Sequence, residues 1–147
     1  MECRRLLKKP NGVLVLVWND RDLSVPWVKQ LEEQIINPLY DVESPEGGDV
    51  PRQQSGEWLE KFEHFLGNYY GNLHQVTFQD VFQTGGEDMV VGRILSLSVV
   101  GGLPDKEKDA IEARVRKFLR EHEDTKNQLE TLVLPYKTEI YWTRVLA

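Results

Sequence analysis

The first strong pattern along the chain is a run of five apolar residues at positions 13–17, with no polar residue among them. An unbroken apolar run of this length is typical of a strand that is covered on both faces in a parallel sheet. The basic residues at positions 4–9 are typical of the last turn of a helix, and residues 10–12 predict a turn. The chain is therefore predicted to begin with a helix, a turn and a buried strand.

Apolar residues that recur every three to four positions predict two helices in the first half of the chain. Ser24 is the predicted cap of the first helix, which ends at residues 37–38. Its apolar face carries Trp27, Leu31 and Ile35. The second helix begins at Trp58 and ends at the break formed by residues 67–68. Residues 41–57 between them combine acidic residues with Pro and Gly, which favours a mobile acidic loop.

The second half of the chain mixes strand and helix patterns. Period-two spacing predicts a strand over residues 76–82 that ends at the glycine pair 85–86. Residues 89–100 are rich in β-branched residues yet also fit a helix, so periodicity alone leaves both structures open. Pro104 opens the clearest helix, and alternation predicts a last strand over residues 138–146. This order of elements is typical of an α/β fold.

Composition narrows the class of protein. The 147 residues, 40% of them hydrophobic and 29% charged, suit one globular domain over residues 1–147. The net charge of -6 argues against a nucleic-acid or anionic-membrane surface, although residues 1–12 hold four basic residues against one acidic residue. No apolar run reaches the length of a membrane helix. A single cysteine, Cys3, cannot form an internal disulfide, which suits a reducing, cytoplasmic compartment.

The residues that follow the first strand are candidates for chemistry, because open α/β sheets bind ligands at the carboxyl ends of their strands. Asn19 and Arg21 stand there and could orient a carboxylate or an amide of a substrate, the arginine through a two-pronged hydrogen bond. Trp18 and Trp27 could form the walls of an apolar pocket. This interpretation predicts a small-molecule site.

A structural role is the alternative for the same segment. Asp22 or Ser24 could cap the following helix, and Asp20 could pair with Arg21 at the surface. Both tryptophans could pack in the core. The residues alone leave the two interpretations open.

Other polar groups carry weaker signals. Arg93 forms a group with Ser96 and Ser98, but serine hydroxyls in such a segment usually bond back to the preceding turn. The acidic pairs 32–33 and 87–88 are interpreted as solvated or loop charges. The three histidines are too scattered for a local zinc site, and the glycine pairs match no phosphate-binding loop. We assign no catalytic residue and no metal site.

Four motifs occur in the order and spacing of one family. They are residues 9–22, Pro26-Trp27, Arg93-x-x-Ser96-x-Ser98, and Leu134-Pro135-Tyr136-x-Thr138-x-x-Tyr141. Together they resemble the C-terminal half of class I S-adenosylmethionine-dependent methyltransferases, in the methyltransferase type 11 branch that includes trans-aconitate methyltransferase-like enzymes. The resemblance spans nearly the whole chain.

The resemblance implies a Rossmann-like α/β fold with a seven-stranded sheet. Residues 13–17 would form its fifth strand, residues 76–82 its sixth, and residues 138–146 its seventh, antiparallel strand. It also favours a helix over residues 89–100. The implied activity is methyl transfer from S-adenosylmethionine to a small-molecule acceptor. The residues on the substrate side of the cleft would be Trp18, Asn19, Arg21, Trp27 and Arg93.

The family's cofactor loop, an acidic-G-x-G-x-G segment after its first strand, has no counterpart in residues 1–147. We therefore expect a truncated form that is inactive alone, because a chain that cannot bind the methyl donor cannot align it with the acceptor. The alternative is a non-catalytic binding or regulatory module. Its exposed strand edge at residues 13–17 would pair with a second copy or with another chain.

Overall fold

The computed structural model describes residues 2–40 and 56–146, so the predicted acidic loop at residues 41–57 lies outside the described residues except for its last two. Helices and strands form a mixed α/β arrangement, as the sequence predicts. The elements are α1 (Glu2–Leu6), β1 (Val13–Arg21), α2 (Pro26–Leu31), a π-helix (Glu32–Ile36), α3 (Asn37–Tyr40), α4 (Glu57–Glu63), β2 (His74–Thr84), α5 (Gly86–Leu95), α6 (Ser98–Gly101), α7 (Asp105–Glu121) and β3 (Val133–Arg144).

The chain divides into two compact units. The first unit takes in the described residues of Met1–Asp20, Gly48–Gln79 and Lys137–Ala147. The second unit takes in those of Arg21–Gly47 and Asp80–Tyr136. Most strand residues belong to the first unit, whereas the second unit holds α2, α5 and α7.

A three-stranded sheet has the order β1, β3, β2, so β3 is central. β3 runs antiparallel to β1, because the Val145 amide donates to the Gly12 carbonyl and the Asp22 amide donates to the Pro135 carbonyl. An antiparallel bridge joins Tyr70, just before β2, to Val145. The prediction of an antiparallel last strand is confirmed, while the seven-stranded sheet stays a prediction.

The apolar run in β1 is not covered on both faces, contrary to the prediction. Side chains alternate between the two sides of a strand, and Val13, Val15 and Val17 are 41%, 51% and 55% exposed. The residues between them are half-buried. The physical reason is that β1 lies at the edge of the sheet and that the described residues cover only one face of its apolar run.

The helix after β1 is longer than predicted. α2, the π-helix and α3 follow one another from Pro26 to Tyr40, so residues 37–38 do not end the helix. The Asn37 amide donates to the Glu32 carbonyl, five residues back, which is the hydrogen bond of a π-helix. The wider turn continues the helix where the sequence predicts a stop.

Pro38 is tolerated because another helix supplies the missing hydrogen bond. A proline has no amide hydrogen, so in a regular helix the carbonyl four residues back, that of Gln34, would lose its donor. The Arg114 guanidinium of α7 donates to the Gln34 carbonyl over 3.1 Å. A tertiary contact therefore replaces the helical one.

The segment of residues 89–100 is helical, as the family resemblance implies. It is divided between α5 and α6, which are separated by residues 96–97. The Ser96 hydroxyl donates to the Arg93 carbonyl over 2.9 Å, a bond back to the preceding turn. The structural interpretation of Ser96 is thereby confirmed.

The remaining elements agree in type with the prediction and differ in their ends. α7 begins directly after Pro104. α4 ends at Glu63, before the predicted break at residues 67–68. β2 contains the predicted strand of residues 76–82, and β3 begins at Val133 and not at residue 138. The hydrophobic patterns in the sequence thus predict where these elements lie, whereas tertiary contacts determine the residues at which they begin and end.

The second unit contains the hydrophobic core. Its helices contribute apolar side chains at helical spacing, which bury one stripe of each helix. The buried residues are Trp27, Val28, Leu31, Ile35, Ile36, Val90, Val91, Ile94, Val100, Ile111, Val115, Leu119, Leu132, Leu134 and Tyr136.

Candidate functional site

Arg21, at the end of β1, forms a buried ion pair. Its side chain is 11% exposed, and its Nε donates to Oε2 of Glu32 in the π-helix over 2.7 Å. The Glu32 side chain is 3% exposed. Removing one partner would leave the other charge uncompensated away from water, which is strongly destabilising. Arg21 is therefore oriented by Glu32 and does not form the surface pair of the structural alternative.

Arg21 and Arg93 both lie next to Tyr136. The hydrogen bond from the Asp22 amide to the Pro135 carbonyl places Arg21 opposite Tyr136 in the ladder, with both side chains on one face. The Nε of Arg93, in α5, donates to the hydroxyl of the buried Tyr136 over 3.4 Å. Within the second unit, two of the five predicted site residues are thus brought together.

Trp27 lies in the hydrophobic core of the second unit and is 5% exposed. It follows Pro26 at the start of α2, and Val28 and Leu31 beside it are fully buried. This packing favours the structural alternative for Trp27. Its role as a pocket wall stays a prediction.

Trp18 belongs to an aromatic cluster of the first unit. Its ring centroid lies 4.6 Å from that of Trp58 and 5.7 Å from that of Tyr141, the second contact being edge-to-face. Trp58 also lies 6.4 Å from Phe62 in α4. Rings at these distances are in direct contact. The contacts favour a packing role for Trp18, and its contact with a ligand stays a prediction.

Asn19 lies on the opposite side of β1 from Trp18. Its Oδ1 accepts a hydrogen bond of 2.7 Å from the Thr138 hydroxyl in β3. Residues opposite each other in an antiparallel pair share a face, so this bond identifies the face on which both side chains lie. Cross-strand pairing accounts for the Asn19 oxygen, and substrate binding by Asn19 stays a prediction.

Ser24 is not the cap of α2, contrary to the prediction. The cap position is held by Val25, which makes no side-chain hydrogen bond there. The Ser24 amide and hydroxyl both donate to Oδ1 of Asp22, over 3.0 and 2.7 Å. This is an Asx turn, in which an aspartate side chain mimics the backbone of a turn. Asp22 therefore shapes the connection between β1 and α2.

Glu32 is the residue that the sequence prediction missed, because its interpretation as a solvated charge is wrong. It lies four residues after Val28 and four before Ile36, both of which are fully buried. That spacing places Glu32 on the buried stripe of the helix and is the signal that could have found it. Glu33 is exposed and pairs with Lys29 over 3.8 Å, as a solvated residue would.

The second acidic pair is not in a loop either. Glu87 and Asp88 lie in the first turn of α5, where the helix dipole favours carboxylates. Arg120 of α7 donates to Glu87 over 2.8 Å, and Arg116 donates to Asp88 over 2.7 Å. Hydrogen bonds to Asp88 and Glu112 raise the pKa of Arg116 above its ordinary value. These pairs join α5 to α7 and have a structural role.

The described residues do not fit the methyl donor of the resembled family. The glycine-rich loop of that family follows a strand, but β1 is followed by the Asx turn at Asp22 and β2 by the pair Gly85-Gly86. A Cβ on Gly86 would lie 2.7 Å from the Glu130 carbonyl oxygen, so this glycine allows the chain to pack closely on itself. No step of methyl transfer is therefore derived from residues 2–40 and 56–146.

Two further structural findings concern the described residues. No group of three or more His, Cys, Asp or Glu side chains among them could hold a metal ion. None of the helices described above combines the length and the apolar character needed to cross a membrane.

Comparison with known proteins shows that the chain is similar in sequence to two proteins named as methyltransferases. No protein-family model matches it. It is 31% identical over 120 residues to an uncharacterized methyltransferase of Schizosaccharomyces pombe, covering 81% of this chain and 42% of the relative. It is 32% identical over 114 residues to an uncharacterized methyltransferase-like protein of the same yeast, covering 78% of this chain and 40% of the relative. The chain spans about two fifths of the length of these relatives, and the similarity supports a methyltransferase relationship.

Proposed function

We propose that this chain takes part in methyl transfer from S-adenosylmethionine to a small molecule that carries a carboxylate. The observation that supports this most is the similarity of about four fifths of the chain to two proteins named as methyltransferases. The mixed α/β arrangement with its antiparallel last strand agrees with the family resemblance. In this proposal the three strands belong to a seven-stranded Rossmann-like sheet, and the chain supplies the acceptor side of the cleft.

Arg21 and Arg93 are the residues that we assign to the acceptor's carboxylate, because guanidinium groups bind carboxylates through parallel hydrogen bonds. Arg93 is exposed, and its 3.4 Å bond to Tyr136 is long enough for a carboxylate to displace. Glu32 holds Arg21 in one orientation. The family resemblance alone assigns Trp18, Asn19 and Trp27 to the substrate side of the cleft.

Titration with the methyl donor tests whether this chain binds the cofactor by itself. We expect no saturable heat of binding when the 147-residue chain is titrated with S-adenosylmethionine, because the described residues lack a fitting loop. A Kd of about 1 μM corresponds to about -8.2 kcal/mol and requires a formed site. Saturable binding in that range would contradict the expected inactivity of the chain alone.

Titration with trans-aconitate, a small tricarboxylate, tests the acceptor side. We expect Arg93→Gln to weaken binding about tenfold, because a charge-assisted hydrogen bond contributes about 1.4 kcal/mol or more. Lys117→Gln is the matched control, since it removes the same charge from an exposed position on α7. Amide chemical shifts report both affinities. If both variants weakened the binding of trans-aconitate equally, the binding would depend on nonspecific attraction between charges. That result would contradict the assignment of Arg93 to the carboxylate.

A non-catalytic binding module is the second candidate function. In the described part of the chain, β1 lies at the edge of the sheet and the side chains of Val13, Val15 and Val17 are exposed. Both features favour a binding module, since they mark interaction sites. Sequencing of the transcript upstream of the Met1 codon distinguishes the two functions. An open reading frame that encodes a strand followed by an acidic-G-x-G-x-G loop would support the enzyme and contradict the separate module.

A further inference from the structure

The hydroxyl of Tyr136 is a hydrogen-bond donor for which the described chain supplies no acceptor. Tyr136 belongs to the core of the second unit and is 7% exposed. Its hydroxyl oxygen accepts the hydrogen bond of 3.4 Å from Nε of Arg93. Among residues 2–40 and 56–146, no atom accepts a hydrogen bond from the Tyr136 O–H. A buried donor without an acceptor is unfavourable and rare in folded proteins.

The hydrogen bond from Arg93 fixes the direction in which this donor points. A phenol oxygen carries one hydrogen, and the N–H of Arg93 approaches the oxygen on a different side, because two facing hydrogens repel each other. The Tyr136 O–H therefore points away from Arg93 Nε. Arg93 is exposed, so the hydroxyl that it contacts lies at the end of the buried ring that a solute reaches. The Tyr136 hydroxyl is thus oriented to donate to a ligand.

Arg21, beside Tyr136, has donors in the same situation. Its side chain is 11% exposed, and its Nε donates to Glu32. In the described part of the chain, the two terminal nitrogens of Arg21 donate to no acceptor. Asp22 and Pro135 form a hydrogen-bonded pair of the ladder, so Arg21 and Tyr136 form the next pair, whose Cα atoms lie about 4.5 Å apart. Two neighbouring side chains of the second unit therefore present donors without acceptors.

We propose that the Tyr136 hydroxyl donates a hydrogen bond to the carboxylate of the methyl acceptor, beside the guanidinium groups of Arg21 and Arg93. This assignment rests on the proposed function and adds a third binding residue to it. A carboxylate accepts several hydrogen bonds and donates none, so its two oxygens suit a group of three donors. Hydrogen bonds to an ionised acceptor are about twice as strong as those between neutral groups.

The Tyr136 hydroxyl also explains how Arg93 can change partners without loss. When a carboxylate takes the N–H of Arg93, the Tyr136 oxygen loses a long hydrogen bond. The Tyr136 O–H gains a charge-assisted bond to the same carboxylate in exchange. Both side chains therefore exchange a weak contact with each other for stronger contacts with the ligand.

Titration with trans-aconitate, followed by amide chemical shifts, tests the assignment. We expect Tyr136→Phe to raise the Kd about tenfold, because it removes one charge-assisted hydrogen bond and keeps the buried ring. Tyr141→Phe is the matched control, since Tyr141 of the first unit is 8% exposed and is hydrogen-bonded to Gln75. It leaves the Kd unchanged, and circular dichroism confirms that both variants fold.

The ring carbon that carries the hydroxyl reports the contact directly. With ¹³C at this position in all five tyrosines, the resonance that is missing from the spectrum of Tyr136→Phe belongs to Tyr136. We expect trans-aconitate to shift this resonance and to leave that of Tyr141 in place. A resonance that does not move would contradict a hydrogen bond between the Tyr136 hydroxyl and the ligand.

The outcomes separate this assignment from the proposed function. If the wild type binds trans-aconitate and Tyr136→Phe binds it equally well, the assignment of Tyr136 is overturned and the proposed function stands. Equal weakening by Tyr136→Phe and Tyr141→Phe would also overturn the assignment, because the loss would not depend on the position of the hydroxyl. If the wild type does not bind trans-aconitate, the proposed function is contradicted, and the assignment of Tyr136 with it.

Discussion

The two sides of β1 carry the same kind of side chain in opposite environments. On one side, which we call the closed face, Trp18 lies against Trp58 and Tyr141. On the other side, which we call the open face, Val15 and Val17 are more than half exposed. α4 supplies the cover of the closed face, and the described residues supply none to the open face. Apolar character therefore indicates that burial of a side chain is favourable. It does not indicate whether the side chain is buried in the folded chain.

The polar groups of the first unit differ in the same way. Tyr141, on the closed face, is 8% exposed and is hydrogen-bonded to Gln75. Burial, and after it the charge of Glu139, raise the pKa of Tyr141 above its ordinary value of 10.0. On the open face the Asn19–Thr138 bond is exposed. The closed face thus has the electrostatics of an interior and the open face those of a surface.

The largest effect that separates the two faces is expected from removal of a tryptophan. Trp18→Ala lowers the free energy of unfolding by about 2–3 kcal/mol, because it deletes ring contacts within a packed cluster. Trp142→Ala, on the open face, lowers it by about 1 kcal/mol, because the stacking on His74 is the contact that is lost. Urea unfolding at low protein concentration measures both values. Equal costs would show that the two faces are packed alike.

A smaller effect is expected from the ionisation of Tyr141. A raised pKa in the folded state means that folding favours the neutral phenol, so its contribution to stability is complete below pH 10 and is lost as the pH rises through the folded-state pKa. Above pH 10 the free energy of unfolding should fall more steeply for the wild type than for Tyr141→Phe. Parallel curves for the two proteins between about pH 9 and 11, one unit either side of the ordinary tyrosine value, would contradict the burial of this phenol.

The smallest effect is expected from Val17→Ala. Its side chain is 55% exposed in the described structure, so the substitution should lower the free energy of unfolding by about 0.5 kcal/mol or less. Thermal unfolding of the variant and of the wild type at low protein concentration measures this difference in free energy. A loss above about 1.5 kcal/mol, the range of a buried aliphatic side chain, would show that the open face is covered within the chain.

Much of the fold can be predicted from patterns in the sequence. The apolar spacing along α7 and the alternation in β2 specify the type of each element, because both are local properties of the chain. The candidate site is less predictable. Arg21 stands at a strand end, where the sequence places a binding residue, but its buried partner Glu32 belongs to a different element. That pairing depends on where the π-helix lies after folding.

The sequence by itself determined which segments form helices and strands, and its similarity to two proteins named as methyltransferases supports a relationship to them. The tertiary structure decided the role of individual residues. It buried Glu32 and left Glu33 exposed, and it covered Trp18 while leaving Val17 in solvent. The physical reason is that secondary structure depends on neighbours three or four positions away, whereas burial depends on side chains that are distant in the sequence and meet only in the folded chain.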